Sequence, residues 1–149
     1  MESELTQERI KFLEMDFQRG FVKFCGFQAA KIEKGYFEST LTIGENHKTQ
    51  DNFIHAGVIA TMSDHTAGYA AYTLVAEDMR ILTIEFKINF LKPAHGHALR
   101  CQSEIISLGR QIVVAQSTVM DIREGHEKMV SKSTITLMVM DAAKLDKKI

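Results

Sequence analysis

The stretch from Gln50 to Ala76 constrains the fold of this chain more than any other. From about Ala56 to about Val75 it contains no proline, is rich in alanine and carries apolar side chains on every face. A helix of this kind has no face suited to water, so the pattern predicts a buried central helix. Asp64 lies in its middle, where an ionised carboxylate loses hydration unless another group compensates for the loss.

Helical spacing places small residues on the same face as Asp64. They are Gly57, Ala60, Thr61, Gly68 and Ala71. Because none of them is bulky, we expect the carboxylate to face a narrow slot with room for a substrate or a water molecule. The alternative interpretation is a structural Asp bonded to a local hydroxyl, such as that of Thr61.

Length and charge limit the class of protein. The chain has 149 residues, enough for one domain with a substantial core and too few for two ordinary ones. Its formal net charge of -1 gives no field that would attract nucleic acid or an anionic membrane. Two isolated cysteines, Cys25 and Cys101, and a start without a signal-peptide pattern predict reduced thiols and a cytoplasmic location. No apolar run approaches the roughly 18 residues of a membrane span.

Before and after the central helix, the apolar periodicity predicts an amphipathic helix and a series of strands. The helix is expected from Thr6, its N-cap, to about Phe24, with Gly26 ending it. The predicted strands are residues 27–32, 36–43, 82–90, 98–108, 111–122 and 128–140. In the strand 82–90, apolar and polar residues alternate strictly, so one face is apolar and the other is polar. The apolar residues are Leu82, Ile84, Phe86, Ile88 and Phe90, and the polar ones are Thr83, Glu85, Lys87 and Asn89.

This order of elements predicts a single α+β domain over residues 1–149. An antiparallel sheet of about five to six strands wraps one long central helix. The parts are an N-terminal helix in residues 1–25, a core in residues 27–140 and a charged tail in residues 141–149.

Two motifs now carry a resemblance to a known family. The first is His55-Ala56-Gly57 followed by Asp64, and the second is the strand end Phe90-Leu91-Lys92-Pro93-Ala94. With the order of elements from about Tyr36 to Met140, the chain resembles the hotdog-fold acyl-CoA thioesterases of the PaaI-like branch. One departure is Ala56, where many relatives carry glycine.

The resemblance implies hydrolysis of an acyl-CoA to a carboxylic acid and free CoA. Asp64 would act as general base toward water or as nucleophile. Gly57 lies in the first helical turn, where N–H groups lack intrahelical partners, and its N–H would polarise the thioester oxygen. Relatives differ in the placement of an asparagine or glutamine in the preceding loop, so Gln50 and Asn52 are both candidates for a substrate contact.

Four further residues receive roles from the resemblance. His55 would hold the loop or a substrate group, and Thr83 would orient the attacking water near the carboxylate. The turn that contains Gly109 and Arg110 would contact the CoA portion, with Arg110 as a phosphate ligand. Without the resemblance, Thr83 reads as an ordinary strand threonine and Arg110 as a solvated turn residue.

The resemblance also implies an assembly. The Asp of one subunit faces the His-x-Gly segment of its partner, so the expected form is a homodimer or homotetramer with active sites at the dimer interface. We expect no metal and no other cofactor, since CoA is part of the substrate. His95 and His97 share a metal-like spacing, but no further Cys or His lies at ligand spacing.

Two rival functions remain open at this point. A hotdog dehydratase or isomerase also pairs a His with a carboxylate on an acyl thioester. A non-catalytic acyl-CoA sensor would use the same pocket for binding alone. Aryl, short-chain and medium-chain acyl groups all fit the pattern.

Overall fold

A computed structural model of the protein describes residues 4–145. Its helices are α1 (Gln7–Phe17), α2 (Gly20–Cys25), α3 (Ala56–Tyr72) and α4 (Ala142–Leu145), with a 3₁₀ turn at Glu45–His47. Its strands are β1 (Gln28–Glu33), β2 (Tyr36–Thr42), β3 (Met79–Phe90), β4 (Ala98–Leu108), β5 (Ile112–Arg123) and β6 (His126–Asp141). The predicted α+β architecture is confirmed.

The strands form one antiparallel sheet in the order β1-β2-β4-β5-β6-β3. Helix α3 packs against β2, β3, β4, β5 and β6, so the sheet curls around it. Helix α1 contacts both β1 and α3, and so covers part of the surface of α3 that the sheet leaves open. The two edges of the sheet are β1 and β3.

The predicted N-terminal helix is two helices rather than one. Thr6 caps α1 as expected, since its side-chain oxygen accepts a hydrogen bond from the N–H of Arg9 at 3.1 Å. The helix then ends, and Gly20 has a positive φ of 58°, which glycine adopts without steric cost and which turns the chain into α2. Gly26, with φ 89°, ends α2 as predicted.

The central helix is shorter than predicted at its C-terminal end. It closes at Tyr72 because the hydroxyl of Thr73 donates to the carbonyl of Ala70 at 2.6 Å. The same hydroxyl accepts from the N–H of Gly35 at 2.7 Å, in the turn between β1 and β2. Local side-chain bonds of this kind compete with helix continuation.

The buried face of α3 packs on the sheet in two apolar clusters. One cluster is built around Phe17, Phe37 and Met62, and the other contains Ala71 and Ile135. Ala71 is therefore a core residue, and its predicted place in the slot beside Asp64 was wrong. Gly57, Ala60 and Thr61 do share a cavity with Asp64.

The alternation predicted for β3 breaks at a bulge. Thr83 pairs with Leu137 and Glu85 pairs with Thr136, so Ile84 has no partner on β6. The extra residue places both Thr83 and Phe86 on the side of the sheet that faces α3. The prediction that Thr83 lies on the outer face of the sheet was therefore wrong.

The predicted C-terminal tail is partly helical. Residues 142–145 of the predicted tail form α4, whereas residues 146–149 and residues 1–3 lie outside the described part.

Cys25 and Cys101 are free, and burial raises the pKa of both thiols. Within residues 4–145 no helix is long and apolar enough to cross a membrane.

Candidate active site

Four consecutive residues in the middle of α3 are each tied to a different element. This anchoring fixes the rotation of the helix about its axis. The carbonyl of Ser63 accepts a hydrogen bond from Ser117 Oγ of β5 at 2.8 Å, and Asp64 Oδ1 accepts one from Thr83 Oγ1 of β3 at 2.7 Å. His65 Nε2 bonds the carbonyl of Phe17 in α1 at 2.9 Å, and Thr66 Oγ1 bonds Ser39 Oγ of β2 at 2.7 Å. The Asp64 carboxylate is thus held on a rigid scaffold.

The partner of Asp64 is Thr83 and not the local hydroxyl of Thr61. The Thr61 hydroxyl donates instead to the carbonyl of Gly57, one helical turn earlier, at 2.8 Å. The alternative interpretation of Asp64 as a carboxylate bonded within its own helix was therefore wrong. The bond from Thr83 occupies Oδ1 and orients the carboxylate.

Asp64 opens onto a cavity of about 550 Å³, called here the Asp64 cavity. Its lining residues are Arg19, Phe21, Val22, Gly57, Ala60, Thr61, Asp64, His65 and Phe86. Helix α3 forms the floor, α2 one wall and β3 the other. A mostly apolar cleft with a few converging polar groups is the usual form of a small-molecule site.

The N-terminal segment and Phe86 contribute walls that the sequence did not indicate. Three lining residues lie at the break between α1 and α2: Arg19, Phe21 and Val22. A single continuous helix would have placed these side chains elsewhere. Phe86 keeps the inward orientation that alternation predicts, and the bulge at Ile84 brings Thr83 to the same side. Gly20 was the one sequence signal for the break, since glycine is unfavourable inside a helix.

Gly57 stands at the expected first turn of α3, but its N–H already has a partner. It donates to Nδ1 of His55, the N-cap residue, at 2.8 Å. A side chain at position 57 would approach that nitrogen to 2.9 Å, so glycine leaves space here. Because His55 is exposed, a substrate oxygen can take its place at the N–H if the imidazole turns away.

The loop residues predicted to touch the substrate are exposed. Gln50 donates to the carboxylate of Asp51 at 3.2 Å. Asn52 has a positive φ of 65° and forms the turn that returns the chain toward α3. Within the described chain neither residue lines the Asp64 cavity.

The turn between β4 and β5 is formed as predicted. Gly109 donates to the carbonyl of Ile112 at 2.8 Å, and a Cβ at position 109 would approach that oxygen to 2.6 Å. Arg110 is exposed at its tip. The turn lies beside the C-terminal part of β6, where the N–H of Val139 donates to the carbonyl of Gln111 at 2.7 Å. The structure does not bring Arg110 into the lining of the Asp64 cavity.

The segment His95–His97 is held by a buried aspartate. Asp121 accepts from the N–H groups of His95 at 3.0 Å and Gly96 at 2.8 Å, and pairs with Arg123 at 2.7 Å. Among residues 4–145 no group of three His, Cys, Asp or Glu side chains is placed to hold a metal. That the reaction needs no metal or other cofactor stays a prediction.

The separation of Gly57 and Asp64 limits what one copy of the chain can do. Two turns of α3 lie between them, which is roughly 10 Å along the helix axis. Both line the same cavity, yet a single carbonyl group is too small to accept from the Gly57 N–H while its carbon meets Asp64.

His65 joins α3 to the end of α1 through a hydrogen bond and through ring packing. Its ring packs at 4.6 Å from Phe17 and 4.9 Å from Tyr69, and Nε2 donates to the Phe17 carbonyl. Burial lowers the pKa of this imidazole, and the Phe17 carbonyl and the carboxylates of Asp64 and Asp16 offset part of that effect.

We expect this histidine to make the fold less stable in mild acid. The unfolded chain takes up a proton on the imidazole near its ordinary pKa of 6.5, whereas the folded chain does so only at lower pH. The free energy of unfolding should therefore fall as pH drops below about 6.5. His65→Gln, which keeps a donor but cannot titrate, should flatten this slope in denaturant titrations. The exposed His126→Gln is the control, and an unchanged slope in His65→Gln would contradict the assignment.

The amino-acid sequence matches the profile of the Thioesterase superfamily over residues 51–126. A Saccharolobus solfataricus protein named "Putative esterase SSO1253" is 30% identical over 122 residues, which is 82% of this chain and 79% of the relative. These matches define the class as a hydrolase. The chain belongs to the thioesterase superfamily.

Solved structures agree with this assignment. A thioesterase family protein from Silicibacter pomeroyi has a TM-score of 0.85 and 32% identity, and covers 89% of this chain and 98% of its own. The Escherichia coli PaaI protein shares the fold, with a TM-score of 0.78 and 15% identity over 91% of this chain and 96% of its own. The predicted hotdog thioesterase fold is confirmed.

Proposed function

We propose that this protein is an acyl-CoA thioesterase that releases a carboxylic acid and free CoA. The observation that carries the proposal is the carboxylate of Asp64, which Thr83 orients on a rigid helix beside a largely apolar cavity. A positioned carboxylate is what general-base or nucleophilic attack on a thioester requires.

In the proposed reaction, the acyl group occupies the Asp64 cavity between α2 and β3. Asp64 either takes a proton from a water that attacks the carbonyl carbon, or attacks that carbon itself and forms an acyl anhydride, while the hydroxyl of Thr83 holds the carboxylate or the water in line. In both routes the carbon–sulfur bond breaks, and CoA leaves as a thiolate that takes up a proton from the hydrolysing water. In the second route that water hydrolyses the anhydride and regenerates the Asp64 carboxylate.

The Gly57 N–H stabilises the negative charge that develops on the thioester oxygen. The imidazole of His55, which accepts the Gly57 N–H in the free protein, turns away when the thioester oxygen binds there. His55 then holds the loop, and Gln50 or Asn52 in that loop lies near the thioester.

Two copies of the chain are needed for this arrangement. Because Gly57 and Asp64 of one helix lie roughly 10 Å apart along its axis, the carboxylate and the N–H that meet one carbonyl come from different copies. A symmetric dimer would then build two equivalent sites.

The edge strand β3 supports such a dimer. It is 12 residues long, and its exposed apolar side chains are Leu82, Ile84, Phe86 and Phe90. A long apolar edge left open to water promotes pairing with another chain. Pairing of β3 with its copy would bury this edge directly beside Thr83 and Asp64.

Ile84→Lys is expected to give a monomer with little activity. The side chain is 51% exposed in one copy, and a charge there opposes burial against a second β3. Light scattering coupled to size-exclusion chromatography measures the mass, and thiol release measures the activity. Ile106→Lys is the matched control, because Ile106 is also a bulge isoleucine and is 53% exposed, but lies on β4. An active dimer of Ile84→Lys would contradict the proposed interface.

The experiment that tests the function is a panel of aliphatic and aromatic acyl-CoAs with the parent protein. Free thiol is followed with a thiol-reactive dye, and the acid is identified by mass spectrometry. We expect equal release of thiol and acid, and the preferred substrate identifies the acyl class. Hydration of an enoyl thioester without thiol release would favour a dehydratase, and tight binding without turnover would favour a sensor.

A further inference from the structure

A second cavity, of about 350 Å³, lies between α1, the end of α3 and the start of β3. Its lining residues are Arg9, Phe12, Asp16, Arg19, Tyr72, Glu77 and Arg80. We call it the arginine cavity, because three of its seven lining residues are arginines.

The lining residues of this cavity include three arginines and two carboxylates, Asp16 and Glu77, so the positive charges exceed the negative ones by one. Both oxygens of the Asp16 carboxylate accept a hydrogen bond: Oδ1 from Arg19 at 3.1 Å and Oδ2 from the Tyr69 hydroxyl at 2.8 Å. Arg9 and Arg80 have no carboxylate partner among residues 4–145.

Backbone carbonyls hold these two guanidinium groups in place. Arg9 donates to the carbonyl of Tyr72 at 3.1 Å and lies over the ring of Phe12 at 5.3 Å. Arg80 donates to the carbonyls of Glu77 at 3.1 Å and Met79 at 2.8 Å. Each bond uses one nitrogen of the guanidinium, so the remaining N–H groups keep the planar donor pattern that matches phosphate oxygens.

The arginine cavity adjoins the Asp64 cavity. Arg19 is a lining residue of both cavities, so the two cavities meet at this side chain. Tyr72, in the arginine cavity, lies two turns beyond Asp64 on α3, roughly 12 Å along the axis. An extended pantetheine arm covers a distance of that order between the thioester sulfur and the diphosphate of CoA.

We propose that the arginine cavity binds the nucleotide phosphates of the CoA moiety, with Arg9 and Arg80 as ligands and Arg19 at the junction. This inference rests on the proposed function, because it takes the thioester to sit at Asp64. It assigns the phosphate contact to α1 and β3, in addition to the turn that carries Arg110.

The test compares two thioesters of the same acyl group, one with CoA and one with pantetheine, which lacks the phosphates. Arg9→Gln and Arg80→Gln should each raise KM for the CoA ester roughly tenfold, because each removes a charge-assisted hydrogen bond. Both variants should leave KM for the pantetheine ester within a factor of about two. Lys11→Gln is the control, since it removes one positive charge from α1 outside the cavity.

A binding measurement separates this proposal from the proposed function. Titration calorimetry with 3′-phospho-ADP, the nucleotide end of CoA, should give a Kd that the two variants weaken by a similar factor, whether or not turnover is seen. Arg80→Lys, which keeps the charge, should recover part of the loss. Equal KM changes for both esters, unchanged 3′-phospho-ADP binding in both variants, or equally tight binding of inorganic phosphate alone would overturn the proposal.

Discussion

Asp64→Asn is expected to reduce kcat for acyl-CoA hydrolysis on the order of 10³-fold, the usual contribution of a positioned base. Asparagine has the same shape and still accepts the hydrogen bond of Thr83, so the cavity keeps its form. It can neither take a proton from water nor attack the carbonyl. KM should change little, because the carboxylate acts in the transition state rather than in binding.

The measurement is the initial rate of thiol release over a range of acyl-CoA concentrations. Asp78→Asn, an exposed aspartate in the loop before β3, is the matched control and should keep the rate of the parent protein. Circular dichroism checks that both variants are folded. A folded Asp64→Asn protein with the kcat of the parent would rule out the proposed role.

Phe17→Ala is expected to destabilise the protein by roughly 3–5 kcal/mol. The ring is fully buried and packs at 4.9 Å from Phe37, 4.6 Å from His65 and 5.2 Å from Tyr69. Its loss leaves a cavity where α1 meets α3. His65 and Tyr69 are held by their own hydrogen bonds and cannot collapse to fill it. The melting temperature should fall by roughly 10 °C for a chain of this size.

Chemical denaturation at a fixed chain concentration measures this effect, since a dimer's stability depends on concentration. Phe24→Ala makes the same chemical change on α2, where the side chain is 80% exposed, and should cost less than about 0.5 kcal/mol. Equal losses in the two variants would show that α1 does not depend on the aromatic cluster.

The order of the elements could be predicted because periodicity reports burial directly. Helix α3 is apolar all round and the strands β4, β5 and β6 alternate, so the sheet and its central helix follow from the sequence. The break between α1 and α2 was missed, because Phe17 and Phe21 continue the helical spacing across it. Gly20 was a weak sign of the break, and its positive φ shows where the chain changes direction.

The site was predicted in part, and its surroundings were not. Helical spacing correctly predicted Gly57, Ala60 and Thr61 beside Asp64, and wrongly placed Ala71 there. The contact with Thr83 depends on a bulge at Ile84, and alternation alone put Thr83 on the wrong face. The roles of Asp64, Gly57, His55, Gln50, Asn52, Thr83, Gly109 and Arg110 stay predictions.

The proposed catalytic centre combines Asp64 of one copy with the Gly57 N–H of another. Mixing two inactive variants tests it most directly. Gly57→Val fills the space where the thioester oxygen binds, and Asp64→Asn removes the base. After subunit exchange, half of the dimers are mixed, and each has one intact site, so about a quarter of the parent activity should return. No recovery, with exchange verified by mass spectrometry of tagged subunits, would contradict the shared site.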